Sequence, residues 1–209
     1  ASPAGSSVYA ATGADVSIAS GRLSYALGLH GPSVSFQAAC SSALIAFHAG
    51  LRALQLDECA DGLVAGTTLY LSPALGVSFA LAGMTSVRGR SHTFDARADG
   101  YARGEACGGV VLHCALADVT LSLLGSAIRQ DGRSASFSAP NGAAQQLVVA
   151  GALRQADLEM QQHTVEAHGT GTALGDPIEV EALRLVLGGG ACRSGRGPRR
   201  FVAVEIGIW

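Results

Sequence analysis

With 209 residues, 48% of them hydrophobic and only 14% charged, the chain is sized for one large domain and carries the opposite balance from a disordered one. A formal net charge of −2, with 14 basic residues that are all Arg, gives no basic surface for nucleic acid or anionic lipid and offers no lysine for Schiff-base chemistry. The longest apolar stretch, Leu69 to Met84, is broken by Ser72, Pro73 and Ser78, so a membrane span is not expected.

Taken in chain order, Ala1 to Ala14 is small and polar, without the basic start and apolar run of a signal peptide, and reads as the start of a truncated segment. Val34 to Ala39 reads as a buried strand. Ser41 to Leu56 reads as a helix whose Leu44, Phe47, His48, Leu51 and Leu54 follow the i, i+3, i+4, i+7 rule. Leu63 to Leu71, Gly109 to Ala115 and Gly125 to Arg129 are further predicted strands, and Ala143 to Gln155 and Asp176 to Leu187 further helices. Gly188 to Arg200, rich in Gly, Pro and Arg, reads as a solvated loop. Alternation of short apolar strands with Ala/Leu-rich helices is the pattern of an α/β domain.

The cysteines Cys40, Cys59, Cys107, Cys114 and Cys192 are never spaced as C-x-x-C. Neither a disulfide framework nor a metal site is suggested, and a reducing, cytoplasmic setting fits.

Two segments carry chemistry. In A-A-C-S-S-A (38–43), small residues flank Cys40 at a strand-to-helix junction and permit a strained elbow. A sulfur placed there meets the positive end of the helix, which favours thiolate and supplies N–H donors to an oxyanion. In V-E-A-H-G-T-G-T (165–172), a short strand delivers His168 into a loop where Gly lets a ligand approach and Thr170 and Thr172 offer hydroxyls. A small buried cysteine and a packed histidine are the plain alternatives, and both cysteine hydrolysis and acyl transfer stay open at this level.

The segment A-C-S-S-A-L (39–44), preceded by G-P-S-V (31–34), resembles the active-site segment of β-ketoacyl synthases of type I polyketide synthases. T-F-D-A-R-A-D-G-Y-A-R-G-E (93–105), Q-D-G-R-S (130–134) with A-P-N-G (139–142), and E-A-H-G-T-G-T-A-L-G-D-P-I-E-V-E-A-L (166–183) resemble the family's other signatures, in order. The animal fatty acid synthase branch is the nearer competitor.

This resemblance implies a thiolase-like fold, layered α-β-α-β-α and incomplete at both ends. Residues 1 to about 115 would belong to the N-terminal half and about 116 to 209 to the start of the C-terminal half. It implies a condensing acyltransferase in which Cys40 holds an acyl group as a thioester and a malonyl-type extender arrives on acyl carrier protein. His168 matches the first of two family histidines, and Thr170 and Thr172 match positions lining the passage for the phosphopantetheine arm. No directly bound cofactor is implied, and the complete protein is expected to be a homodimer. The D-A-R-A-D-G-Y block is expected to shape the tunnel and subunit contact, with Asp95, Asp99 and Glu105 in structural pairs; Asp176 and Glu179 are also read as structural.

The family's later segment with a lysine and a second histidine has no counterpart: the chain has no Lys, and no His follows His168. The fragment alone is therefore expected to be inactive in condensation and to expose apolar surface. The alternative is a catalytically incomplete homologue that only holds acyl groups or dimerises.

Overall fold

The computed structural model describes residues 8–114, 121–136, 138–157, 165–188 and 200–207. It divides into two compact units: unit 1 comprises residues 1–65 and 109–116, and unit 2 comprises residues 66–108 and 117–209.

Unit 1 opens with helices α1 (Ala10–Ala14) and α2 (Ile18–Leu27). Helix α2 ends at Gly28, whose φ of 68° is the left-handed geometry that a helix C-terminus commonly adopts. Neither helix was read from the sequence, because no apolar stripe marks them and α2 buries none of its residues. The predicted strand over Val34–Ala39 is not formed: residues 32–38 are irregular and Val34 is 60% exposed. Apolar residues in a row give a strand only where a neighbour completes the ladder, and none pairs there among the described residues.

A 3₁₀ turn, Ala39–Ser41, leads into α3 (Ser42–Gln55), which the periodicity placed to within a residue at each end. Helix α3 rests on the two-stranded sheet of β1 (Asp61–Thr68) and β2 (Ala106–His113). Gly50 permits that approach: a Cβ there would lie 3.0 Å from Val64 Cγ2 and 3.3 Å from Leu112 Cδ1. Leu54 of α3 and Val64 of β1 are buried.

In unit 2, α4 (Ala74–Leu81) is followed by β3 (Ser122–Gln130), α5 (Gly142–Gln155), α6 (Gly175–Leu187) and β4 (Arg200–Gly207). Strands β3 and β4 pair in parallel, from Ser122 opposite Arg200 to Gln130 opposite Gly207. Two helices intervene, as a parallel connection requires. Val148, Val149 and Leu153 of α5 and Val186 of α6 form the core, with Ala127 of β3 and Leu183 of α6 packed against it. Sequence boundaries for α5 and α6 agree to one residue, while β4 and the apolar α4 were not anticipated. Most of the predicted loop Gly188–Arg200 lies outside the described residues. No helix among the described residues is long and apolar enough to cross a membrane.

Candidate active site

Cys40 lies in unit 1, and His168, Thr170 and Thr172 in unit 2; each group is built within its own unit. Cys40 is an exposed cysteine in the turn that begins α3. Ala39, just before it, has a φ of 50°, a left-handed conformation that costs an L-residue about 1–2 kcal/mol. The chain therefore does turn sharply at this position, as the small neighbours suggested. N–H groups of a helix's first turn lack intrahelical partners, which makes this end of α3 suited to an oxyanion formed on a Cys40 adduct.

Two serines hold the turn. Ser42 Oγ accepts the Ala38 N–H at 2.8 Å and donates to the Ala39 carbonyl at 2.7 Å. Ser41, 1% exposed, donates to the Ala38 carbonyl at 2.5 Å. The sequence singled these residues out only for their small size; hydroxyls at a helix start are the signal that was available.

His168 was expected at the end of a strand, but residues 165–173 form an irregular loop whose backbone is held by carboxylates instead of by a ladder. Glu179 Oε1 accepts the His168 N–H at 2.6 Å and Oε2 the Gly169 N–H at 2.9 Å. Asp176, 5% exposed, accepts the Gly171 N–H at 3.0 Å on one oxygen and the Phe94 N–H at 2.7 Å on the other. Both carboxylates sit in the opening turns of α6, where the helix dipole favours negative charge. The structural reading of Asp176 and Glu179 thus acquires a specific content: they set the loop that carries His168.

The 93–105 block lies along the same loop. Thr93 Oγ1 donates to the Gly169 carbonyl at 2.6 Å and the Gly100 N–H to the Gly171 carbonyl at 3.0 Å. Phe94, held by Asp176, has a φ of 56°. Thr93 and Phe94 are site-shaping residues that the sequence reading missed, although it quoted their block. The carboxylates of that block are paired: Asp95 with Arg97 at 2.8 Å, Asp99 with Arg88 at 3.3 Å, and Glu105 with the Tyr70 N–H. The Arg97 guanidinium holds the Asp95 carboxyl well below its usual range.

Thr170 Oγ1 and Thr172 Oγ1 lie 3.1 Å apart. Thr172 Oγ1 also accepts the Gly175 N–H at 3.1 Å and its carbonyl accepts the Asp176 N–H at 3.3 Å, so Thr172 fastens the start of α6. Its hydroxyl proton stays available to Thr170 or to an incoming carbonyl.

Unit 1 of this α/β protein thus presents an exposed cysteine at a strained helix-start elbow, and unit 2 a histidine in a Gly/Thr loop held by carboxylates. Residues 1–116 match the β-ketoacyl synthase N-terminal domain and residues 121–198 the β-ketoacyl synthase C-terminal domain. The chain belongs to the β-ketoacyl synthase family. A phenolphthiocerol/phthiocerol polyketide synthase of Mycobacterium tuberculosis is 46% identical over 204 residues, which span 93% of this chain and 13% of that protein. A second phenolphthiocerol/phthiocerol polyketide synthase of the same organism is 46% identical over 86% of this chain and 10% of its own length. Among solved structures, the oxazolomycin ketosynthase domain of Streptomyces albus superposes with a TM-score of 0.81 at 32% identity, covering 85% of this chain and 32% of that one. The ketosynthase from module 6 of the bacillaene synthase of Bacillus subtilis gives 0.77 at 34% identity, covering 84% of this chain and 33% of that one. The fold is accordingly thiolase-like α/β, and the chain spans about a third of the solved ketosynthase chains it matches.

Proposed function

We propose that these residues are part of a β-ketoacyl-[acyl carrier protein] synthase of polyketide assembly, divided into its N- and C-terminal halves near residue 116. Cys40 takes the acyl group: its sulfur attacks the carbonyl of an acyl thioester, the new S–C bond forms through a tetrahedral oxyanion, and the donor thiol leaves with the proton given up by Cys40. Decarboxylation of a malonyl-type extender on acyl carrier protein then gives an enolate. His168 stabilises it by hydrogen bonding while its carbon attacks the Cys40 thioester and expels the Cys40 thiolate. Thr170 and Thr172 bond the amides of the phosphopantetheine arm, and the complete protein works as a homodimer beside its acyl carrier protein.

The observation that carries this reading is the Ala39–Cys40 elbow at the start of α3 in a chain of this family. In the complete synthase chain, incubation with an acyl thioester is expected to label Cys40, and Cys40→Ala to abolish the label. Equal labelling of another cysteine in Cys40→Ala overturns the assignment. His168→Ala is expected to keep the label and to lose the β-ketoacyl product.

An acyl-holding or dimerising scaffold is the other outcome of the same experiment. Acylation of the complete chain without any carbon–carbon bond formation would establish it.

A further inference from the structure

We propose that Ser42 is a positioning residue for the nucleophile: its hydroxyl keeps Cys40 aimed by clamping the strained residue before it. The inference rests on the acyl-transfer reading of Cys40 and adds a residue to it.

Short hydrogen bonds from the two serines converge on Ala38 and the left-handed Ala39. Ser42 Oγ accepts from the Ala38 N–H at 2.8 Å while donating to the Ala39 carbonyl at 2.7 Å, so one hydroxyl bridges the 37–38 and 39–40 peptide units and spans Ala38 together with the left-handed Ala39. Ser41 Oγ and the Ser41 N–H both bond the Ala38 carbonyl, at 2.5 and 3.1 Å. Ala has no intrinsic preference for a φ of 50°. A backbone held in such a region persists only when its surroundings over-determine it, and here the two serines supply that constraint.

Ser42 is the more discriminating of the pair. Ser41 is buried at 1% exposure, so its loss would disturb packing as well as the turn. Ser42 is half-buried and starts α3, where Ala is well tolerated by the helix itself. Removing its hydroxyl frees the Ala38 N–H and leaves the Ala39 carbonyl to the Ser42 backbone N–H, and the elbow relaxes toward ordinary backbone. The Cys40 sulfur then swings away from the line of attack on the thioester carbonyl. A misplacement of about 1 Å costs about 100-fold in rate.

The test is the single-turnover rate of Cys40 acylation by a simple acyl thioester, measured over a range of thioester concentration in the complete synthase chain. Ser42→Ala is expected to lower the maximal rate about 10- to 100-fold with the half-saturating concentration within about twofold, and Ser42→Thr, which keeps the hydroxyl, to restore most of it. Iodoacetamide, a small reagent with little directional demand, should alkylate Cys40 in wild type and Ser42→Ala at similar rates. Should Ser42→Ala fail to fold, Ala39→Gly removes the strain, and Ala39→Gly/Ser42→Ala is expected to acylate at least about tenfold more slowly than Ala39→Gly alone. Wild-type acylation in Ser42→Ala, or in the double variant relative to its parent, overturns the inference, as does failure of Ser42→Thr to recover. Labelling that persists in Cys40→Ala would instead overturn the acyl-transfer reading itself.

Discussion

At Gly169 the chain adopts a φ of +51°, and a Cβ built there would come within 2.6 Å of Thr93 Cγ2. Gly169→Ala is therefore expected to cost about 2–3 kcal/mol in stability, from left-handed strain and overpacking together. Thr93→Ser in that background removes the clashing methyl while keeping the hydroxyl that bonds Gly169, and should return part of the loss in chemical denaturation. No recovery would mean that the clash is not what destabilises the loop.

A second residue-scale effect concerns pH. Asp131 is 6% exposed, and burial raises its carboxyl above the usual range while the Asn141 N–H partly offsets this. The folded chain thus binds this proton more tightly than the unfolded chain, so stability from this group is highest at low pH. It falls as pH climbs from the unfolded value, about 3.9, through the raised folded value. Asp131→Asn keeps an acceptor for the Asn141 N–H and removes the ionisation. Melting temperatures taken from about pH 4 to pH 7 should fall less in Asp131→Asn than in wild type; parallel curves would rule this out.

Among elements, α5 depends on its first residues and on one glycine beneath it. The Asn141 side chain accepts the Ala143 and Ala144 N–H groups at 3.1 and 3.3 Å and its Nδ2 donates to the Asp131 carbonyl at 2.7 Å. Asn141→Ala should cost about 1–2 kcal/mol, and Asn141→Ser, which can still cap, less than that. A Cβ on Gly125 of β3 would lie 2.5 Å from the Ala152 carbonyl oxygen, so β3 and α5 approach as closely as they do only because that position lacks a side chain. What the sequence made legible follows the same physics. Helices α3, α5 and α6 were read nearly to the residue, because burial of one face writes a periodic stripe. Helix α4 is apolar on every side yet buries none of its residues, so it carries no stripe to read. The Val34–Ala39 strand failed because pairing is a property of the neighbour. Among the candidate residues, Cys40 and His168 each stand in a local motif, whereas Thr93 acts on Gly169 across 76 positions, a separation that no local pattern records.

For the molecule as a whole, the decisive quantity is apolar surface. Val148 and Ala152 are fully covered, yet Tyr25 and Val87 are each 92% exposed, Leu71 89% and Leu81 85%. Single exposed apolar residues are ordinary on a soluble surface, but here they recur along α2 in unit 1 and along α4 in unit 2, and recurrence of that kind within one element marks contact surface. The chain spans 32% of the oxazolomycin ketosynthase chain that it matches, and in a chain of that length further residues are available to cover these faces. Made alone, the 209 residues are expected to bind an apolar dye strongly and to scatter light increasingly with concentration, whereas the same residues within the complete synthase chain should do neither. Acylation should follow the same division, because an elbow set by a few hydrogen bonds keeps its geometry only while the helix behind it stays packed. A monodisperse, dye-silent fragment that acylates Cys40 as fast as the complete chain would show instead that α3 and its sheet are a self-sufficient platform for the nucleophile.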